Sequence, residues 1–340
     1  MSLLQKILIT KIVESGAIPL SEFMNLALLH PAHGYYMTRD PLGQRGDFIT
    51  APEISQIFGE AIGLWAANEW LRLGRPGAFT LLELGPGRGT LMADALRAIT
   101  QVTPDFLRGM NLQLMEASPV LRSTQQGTLE SYRPTYIDNL AHLPPQPLIV
   151  IANEFFDALP VDQYRFNGIW QRRVVKQDGD KLAWSEEAVL NAPGPIQALR
   201  PTAWTEYSEA SVDIMQALAA HISRHAGALV AIDYGYKGPA AGDTVQALRQ
   251  HGYTNPLEDV GDADITVHVD FGTLASAAAP LQTTLTTQGD FLRALGGDER
   301  LAALCANKDD ATQAMLRSGY ARLTASDQMG ELFKVLLVTR

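Results

Sequence analysis

The residues of this chain best suited to chemistry are acids and glycines at the ends of apolar runs. Leu82-Glu83-Leu84-Gly85-Pro86-Gly87-Arg88-Gly89-Thr90 delivers an acid from such a run and follows it with alternating glycines. Glycine lets backbone approach a ligand closely at the carboxyl edge of a sheet. The pattern is G-x-G-x-G. It is not the dinucleotide fingerprint G-x-G-x-x-G, because Thr90 takes the third glycine's place, and no Lys-Ser/Thr follows to make a P-loop. A tight turn without a ligand is the plainer alternative. Glu116 ends a second run, LQLME, where an acid could accept hydrogen bonds from ribose hydroxyls. Asp138-Asn139 closes a third, PTYID. Asn153-Glu154-Phe155-Phe156-Asp157-Ala158-Leu159-Pro160 follows a fourth, PLIVIAN. Two carboxylates and two aromatics there could hold a cation by charge pairing and stacking. A capped, packed loop is the alternative. Asp233-Tyr234-Gly235 ends a fifth run and is a weaker candidate of the same kind.

The elements that must position these residues follow from periodicity. FTLLEL, LQLME, PTYID, PLIVIAN and ALVAIDYG predict five strands, with helices opening near Thr90 and at Ser118–Pro119. PLIVIAN lacks polar alternation, as a strand buried on both faces does. LQTTLTTQ and ELFKVLLV predict the last two strands, and DITVHVDF a short strand or an extended lead into a helix. Strand–helix alternation predicts an α/β fold with a mostly parallel sheet and helices on both faces. Residues 160–210, with turn signals at Asn167–Gly168 and Asp178–Gly179, predict a β-rich insertion. Leu3, Leu4, Ile7, Leu8 and Ile12 predict an N-terminal helix, and Ser21 would cap a second running to His30. A third helix is expected from about Pro52 to Leu73. The segment between them is rich in glycine and proline. Gly34, Gly43 and Gly46 permit sharp turns, and Asp47 and Glu53 would bring charge near the active edge, as a lid or as a structural strap. The expected organisation is a helical extension and lid loop over residues 1–75, then a catalytic domain over residues 76–340.

Composition bounds the function. The chain has 340 residues, 46% of them hydrophobic, and a net charge of −10, which disfavours a nucleic-acid backbone as partner. Cys305 is the single cysteine, so an intramolecular disulfide and a cysteine-based zinc site are excluded. His221 and His225 have the i, i+4 spacing of a zinc pair but lack the H-E-x-x-H context; no metal is expected. His30 and His33 read as stacked or capping, and His268 as a satisfied, partly buried histidine. No apolar run approaches the ~20 residues of a membrane span. The N-terminal residues have neither a signal-peptide core nor the arginine-rich, acid-poor character of a transit peptide, so a cytosolic location is the expectation.

An acid two residues before G-x-G-x-G resembles motif I of class I methyltransferases. There the loop lies under the methionine part of S-adenosylmethionine and the acid helps hold its amino group. Taken with GYY…GDFITAPEISQIFGE, MEASPVLR, ANEFFDALPVDQ, DYG, QGDFLRALG and MGELFKVLLV, the chain resembles the MidA-type family of protein-arginine methyltransferases along nearly its whole length. That resemblance implies a Rossmann-like class I methyltransferase core and S-adenosyl-L-methionine as cofactor. It implies methylation of an arginine in a protein subunit of the respiratory NADH dehydrogenase (complex I), whose assembly it would assist. It carries the cofactor role onto Glu83, Gly85, Gly87, Gly89 and Glu116; Asp138 and Asn139 follow the third strand, where Rossmann-like enzymes often hold the adenine amino group. The signature after the fourth strand carries onto Asn153, Glu154, Phe155, Phe156 and Asp157. Glu154 and Asp157 are the candidate catalytic acids, with Asn153 beside them and Asp47 and Glu53 in reserve. The chain lacks the paired-glutamate hairpin Ser-Glu-x-Met-Gly of other arginine methyltransferases. A small-molecule methyltransferase and a non-catalytic, S-adenosylmethionine-binding assembly factor are the alternative readings.

Overall fold

The computed structural model describes residues 2–38, 50–238, 242–250 and 252–340. Seven strands of the main sheet are β1 (Phe79–Leu84), β2 (Met110–Met115), β3 (Thr135–Tyr136), β4 (Leu148–Asn153), β5 (Gly227–Tyr236), β6 (Gln282–Thr287) and β7 (Phe333–Thr339). Their order is β6-β7-β5-β4-β1-β2-β3, and Val269–Asp270 adds to β5. Strands β1 to β5 pair in parallel, while β7 runs antiparallel to both β5 and β6. This is the mostly parallel α/β architecture expected from the strand–helix alternation.

Burial on both faces explains the unbroken apolar strands. Along β4, Ile149 and Ile151 pack into one core while Val150 and Ala152 pack into another on the opposite face. The first core is covered by α5 (Gln56–Arg72) and α6 (Thr90–Val102), through Phe58, Ile62, Trp65, Leu91 and Leu96. These helices approach closely because Gly63 has no side chain: a Cβ there would fall 2.5 Å from the Ala95 carbonyl oxygen. The boundary expected between residues 75 and 76 therefore falls between α5 and β1, whose side chains share one core. The second face is covered by the helices Glu209–His225 and Phe271–Ala277, through Met215, Ile222 and Leu274.

A third core stands beside the sheet. It joins α1 (Leu3–Ser15) and α2 (Leu20–Leu29) to the inserted strands, and Leu8, Phe23 and Met24 are 0% exposed within it. The insertion forms antiparallel strands Asp162–Phe166, Trp170–Asp178, Lys181–Val189 and Thr205–Tyr207, to which Ile18–Pro19 adds an edge. Its two hairpins turn at Gly168 and Gly179, with φ of 83° and 60°, where a side chain would be strained. A three-stranded antiparallel sheet of Gly252–Thr254, Gln246–Arg249 and Asp264–Thr266 completes this side.

Several local expectations change. Ser21 lies inside α2, which begins after Pro19, and its N–H donates to Asp162 Oδ1 at 3.0 Å. The helix expected from Pro52 is two: α4 (Ala51–Ile54) and then α5, which Ser55 caps from an extended backbone. PTYID contributes only Thr135 and Tyr136 to the sheet. DITVHVDF splits between Asp264–Thr266 in the small sheet and Val269–Asp270 beside β5. No helix among the described residues is long and apolar enough to cross a membrane.

Candidate active site

The carboxyl ends of β1, β2, β4 and β5 open onto one cavity of about 250 Å³. Glu83, Gly85, Gly87 and Glu116 line one part of it, and Asn153, Glu154 and Asp157 another. The two groups meet because β1 pairs with β4 in register, Leu84 opposite Ala152. Glu53, Thr90, Phe155 and Tyr234 also line it, and Tyr36 and Asp264 close it from the third core.

On the glycine-loop side, Gly85 and Gly87 have φ of 61° and 55°, the left-handed region that excludes most side chains. A Cβ on Gly85 would lie 3.0 Å from the Phe155 ring. Glu83 is 2% exposed, and its Oε2 has no hydrogen-bond partner. Burial, and then the charge of Glu116, push the Glu83 carboxyl up to about 8. Glu116 accepts from the Ser118 N–H at 2.8 Å and the Gln125 amide at 3.1 Å, which oppose the upward shift that burial imposes on it. Gln125 also donates to the Gly87 carbonyl at 2.7 Å, tying loop to acid. The site fits S-adenosylmethionine. An unpartnered buried acid can take an amino group, left-handed glycines leave room beside the backbone, and a strand-end carboxylate has lone pairs left for hydroxyls.

Three of the expected cofactor residues lie elsewhere. Gly89 caps α6 with φ 82° and is buried toward Leu129, whose Cδ1 would be 3.4 Å from an added Cβ. Asp138 is exposed and ion-paired with Arg122, and Asn139 is exposed and caps the turn Leu140–His142 by accepting from the Ala141 N–H. Both leave the cavity because β3 ends after Tyr136 and the chain turns outward.

On the other side, Asn153 ends β4 and Glu154 turns the chain with φ 50°, rare for a residue with a side chain. The Glu154 N–H is held by the Ile232 carbonyl at 2.9 Å. Its Oε1 accepts from the Asn153 amide at 3.1 Å and the Ala51 N–H at 3.3 Å. Burial and then the Asp157 charge raise its carboxyl to about 7. Asp157 is 6% exposed and raised to about 6 by burial, against a hydrogen bond from Tyr234. Asp157 Oδ1 and Asn153 Oδ1 are buried without partners. Beneath them lies Asp233, fully buried, whose Oδ2 accepts from the N–H groups of Phe156 and Asp157 at 3.1 and 3.2 Å. Asp233, by sequence a weaker ligand candidate, is the anchor of the loop.

Glu53 accepts from the Thr90 hydroxyl at 2.6 Å, joining the end of the 34–54 segment to the start of α6. Gly43, Gly46 and Asp47 lie outside the described residues. Tyr36 and Asp264 escaped the sequence reading. The GYY signature contains Tyr36, but nothing local pairs it with an acid 228 positions away. His221 and His225 have rings 4.8 Å apart, and His221 Nε2 lies 3.0 Å from the Gln146 carbonyl. No group of three or more metal-ligating side chains occurs among the described residues.

Residues 61–289 match a family described as "Putative S-adenosyl-L-methionine-dependent methyltransferase". The chain is 36% identical to the mitochondrial "Protein arginine methyltransferase NDUFAF7 homolog" of Drosophila melanogaster, over 98% of this chain and 84% of that protein. It is 34% identical to the human mitochondrial protein arginine methyltransferase NDUFAF7, over 96% of this chain and 81% of that one. A likely methyl transferase of the COG1565 superfamily from Burkholderia thailandensis, solved with S-adenosyl-homocysteine, superposes with a TM-score of 0.86 at 26% identity, covering 99% of this chain and 92% of that one. These relatives overturn the cytosolic expectation, because the curated ones are named as mitochondrial proteins. The expectation rested on the character of the N-terminal residues, and their apolar pattern reports a helix whose Leu4, Leu8 and Ile12 pack into the third core, not an address. With 36% identity across nearly its length, a matching family model and the superposition, the chain belongs to the S-adenosylmethionine-dependent methyltransferase family that includes the NDUFAF7 proteins, and its cofactor is S-adenosylmethionine.

Proposed function

We propose that the enzyme methylates a guanidino nitrogen of an arginine in a protein, a subunit of the respiratory NADH dehydrogenase being the acceptor, and thereby assists assembly of that complex. The observation that carries this reading is the pair of half-buried Glu154 and buried Asp157, just after β4 in the same cavity as the glycine loop, with Asp157 Oδ1 unpartnered. The names of the Drosophila and human relatives as arginine methyltransferases support it. Glu83, Gly85, Gly87 and Glu116 hold the cofactor, which when bound supplies a methyl group activated on a sulfonium.

Arginine arrives protonated, because its guanidinium does not deprotonate free in water. Asp157 takes one edge of the planar cation and Glu154 the next, as bidentate carboxylate pairing requires. Water is kept away by Phe155, which lines the cavity and packs edge-to-face, 5.3 Å between ring centres, on the buried Phe156. As the attacked nitrogen gains a methyl group, one of its protons must leave. Glu154 receives it at Oε1 or Oε2. Its carboxyl, raised to about 7, is poised to accept a proton near neutral pH.

Glu154→Gln and Asp157→Asn should keep S-adenosylmethionine affinity and lose methyl transfer by about a hundredfold or more, the scale of an orienting or acid–base group. Calorimetry reads the first quantity. Mass spectrometry of the NADH dehydrogenase from cells carrying each variant reads the second. Full methylation in both variants would reject these acids, and an unmethylated arginine only in cells lacking the protein identifies the target.

A further inference from the structure

The cavity has a wall that the motif signatures leave unassigned. Tyr36, the second residue of the short helix α3 (Tyr35–Thr38), donates from its hydroxyl to Asp264 Oδ1 at 2.9 Å. Asp264 is 3% exposed and opens the strand Asp264–Thr266 of the small sheet. Both line the same cavity as Glu154 and Asp157, together with Thr266 and Tyr234. Burial raises the Tyr36 phenol well above its ordinary range, and the charges of Asp264 and then Asp157 raise it further, so this hydroxyl is a neutral donor to Asp264. Tyr234, its phenol raised chiefly by burial, likewise donates to Asp157, while a hydrogen bond from Thr266 opposes that shift.

Glu154, Asp157 and Asp264 bring three of the six carboxyl groups that line the cavity among the described residues to its acceptor side, where a planar cation can pair with more than one of them. On the acceptor side, Asp157 Oδ1 and Asn153 Oδ1, more than nine-tenths buried, accept nothing. A guanidinium offers five N–H donors in one plane, enough to meet carboxylates arriving from different elements; an ammonium is a compact point charge.

We propose that Asp264, held by Tyr36, is a substrate-binding residue that takes a second edge of the acceptor guanidinium and selects arginine over lysine. This rests on the acceptor reading given above. The catalytic pair comes from the end of the main sheet; the selective pair comes from the third core.

The test uses the whole protein loaded with S-adenosyl-homocysteine, with ethylguanidine and ethylamine as probes, read by ligand-observed NMR titration. Wild-type protein should bind ethylguanidine at least tenfold more tightly than ethylamine. Asp264→Asn should lose about tenfold in ethylguanidine affinity and most of that preference, while S-adenosyl-homocysteine affinity and melting temperature stay unchanged. Tyr36→Phe should lose severalfold, and Asp264→Glu should recover part of the loss. A folded Asp264→Asn variant with wild-type ethylguanidine affinity overturns the proposal. If affinity then falls only with Glu154→Gln or Asp157→Asn, the acceptor reading survives without this wall. If wild-type protein binds neither probe, both fall.

Discussion

Glu83 sits at the second-last position of β1, all of whose residues are buried, and the side chain has an oxygen with no partner. Such a group resists ionisation, and its carboxyl stands at about 8 instead of the ordinary carboxylate value. The sign of the consequence is set by linkage. A carboxyl raised in the folded state stabilises the fold fully below its unfolded value, and that contribution is lost as pH rises through about 8. The cofactor-free protein should therefore lose stability between about pH 5 and pH 8, and Glu83→Gln should flatten the slope; urea denaturation across that range measures it. An ammonium placed against Glu83 reverses the preference and expels its proton. Cofactor binding should then release a proton near neutral pH, counted by calorimetry in buffers of different ionisation enthalpy. A binding event that releases none would remove Glu83 from the amino-group position.

The elements decide how firmly the proposed acceptor acids are held. The loop after β4 is fastened at several points: Glu154 N–H to Ile232, Phe156 and Asp157 N–H to Asp233, and the Asp157 carbonyl to the Val267 N–H at 3.0 Å. Asp233 Oδ1 also accepts from the Tyr234 N–H at 3.0 Å. These bonds hold Glu154 at its unusual φ, because the surrounding structure over-determines it. Asp233→Ala would strand buried N–H groups and should cost roughly 2–4 kcal/mol, since each orphaned buried donor is worth about 1–3. Asp233→Asn keeps an accepting carbonyl and should cost less. Urea denaturation of the two variants tests the order. Equal and negligible losses would show that the loop holds its shape without this side chain.

At the scale of the molecule, one site is assembled from two packing units. The sheet and its helices present the glycine loop and the acids of β4. The third core, built from α1, α2 and the insertion, presents Tyr36 and Asp264. Phe23 lies at the centre of that core, 0% exposed, with its ring edge-on to Trp184 at 6.2 Å. Phe23→Ala should destabilise the protein by about 3–5 kcal/mol, the range for truncating a buried aromatic. Where the variant remains folded, methyl transfer should fall more than cofactor affinity, because the damage lies on the acceptor side. Parallel loss of both, measured on one preparation, would mean that the two units do not respond separately.

The sequence by itself determined the strands of the main sheet, the glycine turn and the acids at the strand ends. Those features depend on near neighbours: the period of apolar residues, and the φ angles that Gly85 and Gly87 alone can adopt without strain. It placed Glu83, Glu116, Asn153, Glu154 and Asp157 at the strand ends that open onto one cavity. Asp138 and Asn139 stand outside the lining of that cavity, because β3 keeps only two residues and ends before them. Whether Ser21 caps a helix was decided by where Pro19 joins the edge of the inserted sheet. Tertiary structure alone decided that Asp233 anchors a loop and that Tyr36 meets Asp264. Those partners are 76 or more positions apart, and their meeting depends on how two cores pack side by side, which no local pattern encodes.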